Sequence, residues 1–124
     1  DLSLDCRHHA GGVSTLDALW SGLPVLSIAG DNQSARTGAS ILGAAGLGEL
    51  AVASLADYRA MALPLAHDPS ALADLKARLR TNMATAPLFD TARLARHLAA
   101  AYREMVRRYR AGEAIGSFSA AQVL

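Results

Sequence analysis

The spacing of the hydrophobic positions changes part-way along the chain. In the first half, short apolar runs at Leu2–Leu4 and Pro24–Ile28 alternate with small-residue segments that begin near Ser14 and Gln33. The run at Pro24–Ile28 has glycine on both sides, which is typical of a strand buried on both faces of a parallel sheet. Two such strands joined through a helix imply a right-handed crossover. The first half is therefore predicted to contain β-α-β-α units of an α/β fold.

The second half reads as almost entirely helical. Helical spacing predicts three helices, over Leu55–His67, Ser70–Asn82 and Thr91–Ala111, after a short extended piece at Glu49–Val52. Pro64 is expected to kink the first of these helices or to end it early. Asp90 is placed to cap the last helix, and residues 113–124 are expected to form a loose tail.

Composition and charge exclude several classes of function. The 124 residues include 12 Lys and Arg against 11 Asp and Glu, a formal charge of +1, so bulk electrostatics favours neither nucleic acid nor an anionic membrane surface. Hydrophobic residues make up 52% and aromatic residues 5%, and 27 positions are alanine, which excludes disorder and favours close-packed helices. Any bound anion must therefore be held by a local site.

The termini and the single cysteine add two expectations. Cys6 has no second cysteine to pair with, which excludes an internal disulfide and favours a reducing cytoplasm. No apolar run reaches the length of a membrane span, and no signal peptide is present. Because the chain opens without Met on an apparent strand, we expect it to be the C-terminal part of a longer protein.

The segment from His8 to Trp20 carries the clearest chemical pattern. Gly11 and Gly12 precede a helix whose first residues include Ser14 and Thr15. The first N–H groups of a helix lack partners within the helix, and the helix dipole is positive there, so a phosphate can accept several hydrogen bonds at once. Glycine lets the backbone approach such a ligand closely, and the two hydroxyls offer further donors.

Asp17 lies one turn into the same helix. Its carboxylate would oppose a phosphate but could accept hydrogen bonds from the vicinal hydroxyls of a ribose. On this pattern alone an alternative of equal weight stays open. In it the glycines form only a turn, Ser14 is only a cap, and Asp17 is only an early carboxylate that the helix dipole stabilises. The GxGxxG and P-loop patterns are absent, so neither a Rossmann dehydrogenase nor a P-loop NTPase is supported.

His8 and His9 stand just before the two glycines, on a loop where adjacent side chains point in different directions. Metal binding by His8 and His9 is not expected, because no acidic or cysteine partner follows at ligand spacing.

Several motifs of the chain together resemble the TPR-linked, SPINDLY-like family of O-linked N-acetylglucosamine transferases. The family signature reads approximately GHTTxxDxLWxGxPxVT, often with GG for GH in bacteria. The matching segments, in order, are Gly11–Leu26, Ser34–Leu42, Gly46–Leu50, Tyr58, Ala86–Asp90, Tyr102–Met105 and Tyr109–Gly112. The resemblance thus spans nearly the whole chain.

The resemblance implies a GT-B glycosyltransferase that uses a nucleotide-sugar donor without a catalytic metal or other cofactor. Residues 1–112 would be the C-terminal half of its Rossmann-like donor-binding domain, followed by a mainly helical segment. Val13 and Ser14 fall on the paired threonines at the donor pyrophosphate, Gly12 on the residue before them, and Asp17 on the aspartate that binds the uridine ribose. Val13 departs from the pattern because it keeps the N–H but lacks the hydroxyl. Trp20 is expected to pack beneath this site.

The resemblance also implies two candidates for the ligand cleft. It places Arg36 on the helix after the Pro24–Ile28 strand, near the mouth of the cleft, where its guanidinium could hold a carboxylate or a donor oxygen. For Arg36 a structural salt bridge is an equally good interpretation. His9, just before the glycines, could contact a uracil ring or a phosphate.

The implied activity is transfer of N-acetylglucosamine from UDP-GlcNAc to serine or threonine hydroxyls of a protein, in the cytoplasm. The catalytic residues, the other GT-B domain and the TPR repeats would precede residue 1, so no catalytic residue is assigned here and the fragment alone is expected to be inactive. The donor, a protein acceptor and these upstream regions are the expected partners. Two alternatives stay open: another sugar or a polysaccharide acceptor, and a noncatalytic α/β binding module.

Overall fold

The computed structural model describes residues 1–120, and its chain separates into two compact units, Asp1–Phe89 and Asp90–Leu124. The first unit contains three strands, β1 (Ser3–Leu4), β2 (Val25–Ile28) and β3 (Ala51–Val52). Its helices are α1 (Val13–Trp20), α2 (Gln33–Ala44), α3 (Leu55–His67) and α4 (Pro69–Met83), with 3-10 turns at Gly48–Leu50 and Pro87–Phe89. The second unit contains α5 (Thr91–Arg110).

The strands form a parallel sheet in the order β1-β2-β3. Ser3 pairs with Val25 on one side of β2, and Ser27 pairs with Ala51 on the other. All four residues of β2 are buried, as the apolar run predicted for a central parallel strand. The α/β prediction, with short parallel strands followed by a mainly helical segment, is confirmed.

The core of the first unit lies where the helices cover the sheet. α2 and α3 pack on β2, and α1 contributes the fully buried Leu19. The buried apolar cluster comprises Leu19, Val25, Leu26, Ile28, Leu42, Ala45, Leu47, Leu50, Val52, Leu75 and Leu79. Asn82 of α4 donates from Nδ2 to the Ala45 carbonyl at 2.9 Å, which ties α4 to the end of α2.

Helix α3 has the predicted bounds, Leu55–His67, so Pro64 does not end it early; the alternative, a kink at Pro64, stays a prediction. Pro64 lies in the last turn and is exposed, so the break is delayed to Asp68, which caps α4 instead. The extended piece predicted at Glu49–Val52 is a 3-10 turn through Leu50, and only Ala51–Val52 pairs with the sheet.

In the second unit, α5 begins as predicted, because Asp90 accepts a hydrogen bond from the Arg93 N–H at 2.7 Å. Beyond its end, the side chains of Glu113 and Phe118 contact α5: Arg107 pairs with Glu113 at 2.7 Å, and the Arg108 guanidinium lies 4.5 Å from the Phe118 ring centroid. The predicted tail thus includes residues held by α5, while residues 121–124 lie outside the described part. Division of the chain at residue 112 remains a prediction.

Candidate donor-binding site

The N-terminus of α1 carries no side-chain cap within the described chain. The N-cap residue is Gly12, and the first intrahelical hydrogen bond runs from the Leu16 N–H to the Gly12 carbonyl at 3.1 Å. The N–H groups of residues 12–15 therefore precede the hydrogen-bonding ladder of the helix. The helix was predicted to begin near Ser14, and it begins one residue earlier, at Val13. The alternative in which Ser14 serves only as a cap is wrong, because Ser14 occupies the first turn without capping it.

The side chains at this helix end divide into exposed and buried groups. Val13 is 74% exposed, and Ser14 and Asp17 are also exposed. Val13 and Asp17 are four residues apart and therefore share one helix face. Thr15, expected to offer a further hydroxyl donor, is only 3% exposed and packs beneath Gly11. The surface open to a ligand thus consists of backbone amides, the Ser14 hydroxyl and the Asp17 carboxylate.

The loop of residues 5–12, between β1 and α1, is organised by Asp5, to which the sequence pattern assigned no function. Its Oδ1 accepts from the N–H groups of Cys6 and Gly11, both at 2.8 Å, and its Oδ2 accepts from the Ser27 hydroxyl at 2.7 Å. The signal in the sequence was an acidic residue directly after a strand and before two glycines. The Gly11 N–H is therefore already hydrogen-bonded within the loop.

Gly11, but not Gly12, is needed for close packing around the loop. A Cβ on Gly11 would lie 2.5 Å from Thr15 Oγ1 and 2.6 Å from Ser14 Oγ. Gly12 faces Thr37 of α2, whose Cγ2 would lie 3.9 Å from a Cβ at that position. The Ala10 N–H also donates to the Ser34 carbonyl of α2 at 3.1 Å. The loop is thus fixed against α2 as well as against β2.

Tyr58 of α3 reaches the same loop. Its hydroxyl donates to the Asp5 carbonyl oxygen at 3.0 Å. Burial raises the pKa of the Tyr58 hydroxyl, and the charges of Asp5 and Cys6 raise it further. Tyr58 therefore stays protonated and acts as a permanent donor at neutral pH.

The structure does not bring His9 and Arg36 together. His9 is exposed in the 5–12 loop, while the Arg36 guanidinium makes a long hydrogen bond of 3.3 Å to the Gly30 carbonyl in the loop after β2. His8, rather than His9, lines a cavity of about 190 Å³ at the carboxyl ends of the strands, together with Arg7, Gly30 and Asp31. Among the described residues, no group of three or more His, Cys, Asp or Glu side chains could hold a metal ion.

A larger cavity than the one beside His8 lies elsewhere in the first unit. It measures about 830 Å³, is lined mainly by apolar side chains of α3 and α4, and contains none of the predicted donor-binding residues. Size alone would select it as the ligand site. The first-turn amides that border it, those of Asp57 in α3 and Ala71 in α4, are already capped by side chains. Its arginine, Arg78, is paired with Glu49, so the cavity offers little to a diphosphate.

Comparison with known proteins decides the family. The model of glycosyl transferase family 41 matches residues 1–98. The chain belongs to this family. A SPINDLY protein of Oryza sativa subsp. japonica, named as a probable UDP-N-acetylglucosamine–peptide N-acetylglucosaminyltransferase, is 40% identical over 92% of the chain. The SEC protein of Arabidopsis thaliana, with the same enzyme name, is 35% identical over 85%.

A solved structure agrees with this assignment to glycosyl transferase family 41. A mutant O-GlcNAc transferase of Thermobaculum terrenum superimposes on 84% of the chain with a TM-score of 0.77 and 34% identity. The chain spans 12% of the rice relative, 11% of the Arabidopsis relative and 20% of the solved chain. The predicted resemblance to O-GlcNAc transferases is thereby confirmed, and the fold is that of a fragment of such an enzyme.

No helix within residues 1–120 is both long enough and apolar enough to cross a membrane.

Proposed function

We propose that this chain forms part of the donor-binding domain of a glycosyltransferase that uses UDP-GlcNAc and glycosylates serine or threonine hydroxyls of proteins. The observation that carries the proposal is the uncapped N-terminus of α1, with the exposed Asp17 carboxylate one turn further along. The amides of residues 12–14 would bind the diphosphate, and Asp17 would accept hydrogen bonds from the ribose. Membership of glycosyl transferase family 41 supports this use of the helix end.

The chemical role of this site is to stabilise the leaving group. As the bond between the sugar and the diphosphate breaks, negative charge grows on the diphosphate oxygens. Fixed N–H groups and the positive end of a helix dipole stabilise that charge without having to reorganise. A site of this kind can act without a metal ion, and we propose that none is required.

The rest of the reaction requires groups outside this chain. We propose that the general base, further basic residues for the diphosphate and the acceptor groove come from other regions of the protein, including a second GT-B domain and TPR repeats. The names of the plant relatives, which specify peptide acceptors, support a protein acceptor. A cytoplasmic location would supply the nucleotide-sugar donor. The isolated chain would then be inactive.

The assignment of the ribose contact to Asp17 can be tested with two nucleotides. Calorimetry on the complete protein should show UDP binding more tightly than 2′-deoxy-UDP, and Asp17→Ala should weaken UDP binding by about tenfold or more and remove most of the difference. Asp74→Ala, which removes an exposed carboxylate on α4, serves as the control and should change neither affinity. Equal discrimination in Asp17→Ala and the unmodified protein would exclude the ribose contact. Absence of any UDP binding by the unmodified protein would favour the noncatalytic alternative.

A further inference from the structure

We propose that Asp5 is a positioning residue for donor binding: its carboxylate fixes the 5–12 loop so that the amides of residues 12–14 face the ligand. The inference rests on the proposed function of the α1 N-terminus. It assigns Asp5 no contact with the donor. Asp5 acts through the loop, and its role follows from its hydrogen bonds.

The Asp5 carboxylate joins both ends of the loop to the centre of the sheet. One oxygen accepts from Cys6, at the start of the loop, and from Gly11, at its end. The other oxygen accepts from Ser27, whose side chain belongs to the central strand and is fully buried. A single side chain thus closes the loop and anchors it to the buried central strand.

Asp5 is itself held in place by three other elements. Its N–H donates to the Leu26 carbonyl of β2 at 2.9 Å, and its carbonyl oxygen accepts from Tyr58 of α3. From α2, Gly38 approaches so closely that a Cβ there would lie 2.6 Å from Asp5 Oδ2 and 2.5 Å from Ser27 Oγ. With no room to change rotamer toward α2, the carboxylate keeps a fixed position.

The negative charge of Asp5 argues that this residue positions the loop and does not bind the diphosphate. A negative charge close to a diphosphate weakens its binding, so Asp5 does not serve the site through its charge. What it supplies is hydrogen-bond acceptors. Asparagine at this position retains one oxygen for the two backbone N–H groups, and its amide can donate to the Ser27 oxygen. Asp5→Asn should therefore preserve the loop, whereas Asp5→Ala should release it.

The test compares Asp5→Ala, Asp5→Asn and Asp68→Ala in the complete protein. Asp68 is a matched control, because its Oδ1 also accepts from two backbone N–H groups, those of Ser70 at 2.9 Å and Ala71 at 3.0 Å, but at the start of α4. The measurements are UDP affinity by calorimetry, KM for the donor and the acceptor, and hydrogen exchange of the amides of residues 11–14.

We expect Asp5→Ala to weaken UDP binding at least tenfold, to raise KM for the donor but not for the acceptor, and to accelerate exchange at Gly11. Asp5→Asn should remain within threefold of the unmodified protein, and Asp68→Ala should lower the melting temperature without changing UDP affinity. Unchanged affinity in folded Asp5→Ala, or equal losses in Asp5→Ala and Asp68→Ala, would overturn the proposal. So would a failure of Asp5→Asn to bind UDP although it folds.

The proposed function can fail separately from this inference. If the unmodified protein binds no UDP, the function is wrong, and hydrogen exchange then decides the role of Asp5 in the loop. Faster exchange at residues 11–14 in Asp5→Ala but not in Asp68→Ala would still support positioning of these amides. Unchanged exchange would overturn it. If Asp5→Ala does not fold, Ser27→Ala supplies the second variant, and its failure to accelerate exchange at Gly11 would count against the proposal.

Discussion

The indole ring of Trp20 packs against the phenyl ring of Phe89, with the ring centroids 5.4 Å apart and the planes tilted by 48°. Trp20 is the last residue of α1, and Phe89 ends the 3-10 turn at Pro87–Phe89. The expectation that Trp20 packs beneath the donor site was wrong. An eight-residue helix is about 12 Å long, so this tryptophan lies at the opposite end of α1 from the amides proposed to bind the donor.

Replacement of Trp20 should therefore affect stability and not donor binding. Trp20→Ala should lower the free energy of unfolding by about 1 kcal/mol, because the aromatic pair is lost. The loss is small because 63% of Trp20 is already exposed. Leu19→Ala, at the fully buried neighbouring position, should cost about 2–5 kcal/mol. Denaturant unfolding would measure both, and calorimetry should find UDP affinity unchanged in Trp20→Ala. A loss of UDP affinity in this variant would link the aromatic pair to the site after all.

Gly38 and Gly43 of α2 offer a matched pair of substitutions. A Cβ at Gly38 would collide with the Ser27 and Asp5 oxygens, whereas a Cβ at Gly43 would meet nothing within 4 Å. Gly38→Ala should lower the free energy of unfolding by about 1–3 kcal/mol through overpacking. Gly43→Ala should raise it by about 0.5–1 kcal/mol, because alanine favours a helix interior. Thermal unfolding of the two variants checks this, and a tolerated Gly38→Ala would show that the sheet and α2 can separate at little cost.

Val13 provides a gain-of-function test of the donor site. The resemblance places threonine at this position, and Val13 is exposed, so Val13→Thr exchanges a methyl for a hydroxyl at little cost in packing. One added hydrogen bond contributes a net free energy of about 0.5–1.5 kcal/mol. We expect UDP affinity to rise by about threefold to tenfold in calorimetry, and UMP, which lacks the second phosphate, to gain less. Val13→Ala should leave UDP affinity nearly unchanged, since the backbone N–H remains.

The sequence predicted most of the secondary structure because the residues that cap or end each element lie close to it in the chain. Gly22, two residues after α1, adopts a φ of +80°, which is typical of a helix C-terminus, and Asp90 caps α5 as expected. Val25–Ile28 was recognisable as a central strand because its burial on both faces removes the polar alternation. These features depend on neighbouring residues, so a linear pattern contains them.

The parts that the sequence did not predict depend on residues far apart in the chain. Asp5 meets Ser27 across 22 positions and Tyr58 across 53, and no spacing rule connects them. Thr15 and Trp20 both lie on α1, but which of them is buried depends on how α1 packs against the sheet. The pattern could therefore identify the amides and Asp17 as candidates, but not the residue that holds their loop.

Glu104 near the end of α5 gives the chain a defined acid-sensitive contact. Its two carboxylate oxygens accept from Arg107 and Arg108 at 2.7–2.8 Å, and Arg107 also pairs with Glu113. The hydrogen bonds from Arg107 and Arg108 lower the pKa of Glu104 from 4.5 to about 2. This network fixes the helix end in the second unit.

A lowered pKa means that the folded chain prefers the charged carboxylate. The contribution of Glu104 to stability is therefore complete above pH 4.5, its ordinary pKa, and is lost as the pH falls through about 2. NMR titration of the Glu104 carboxyl carbon should show this low midpoint, and 1 M salt should raise it, since the arginines are solvent-accessible. Arg107→Gln should shift the midpoint toward 4.5, whereas Arg96→Gln, on an earlier turn of α5, should not. A midpoint near 4.5 in the unmodified protein would mean that the network does not form in solution.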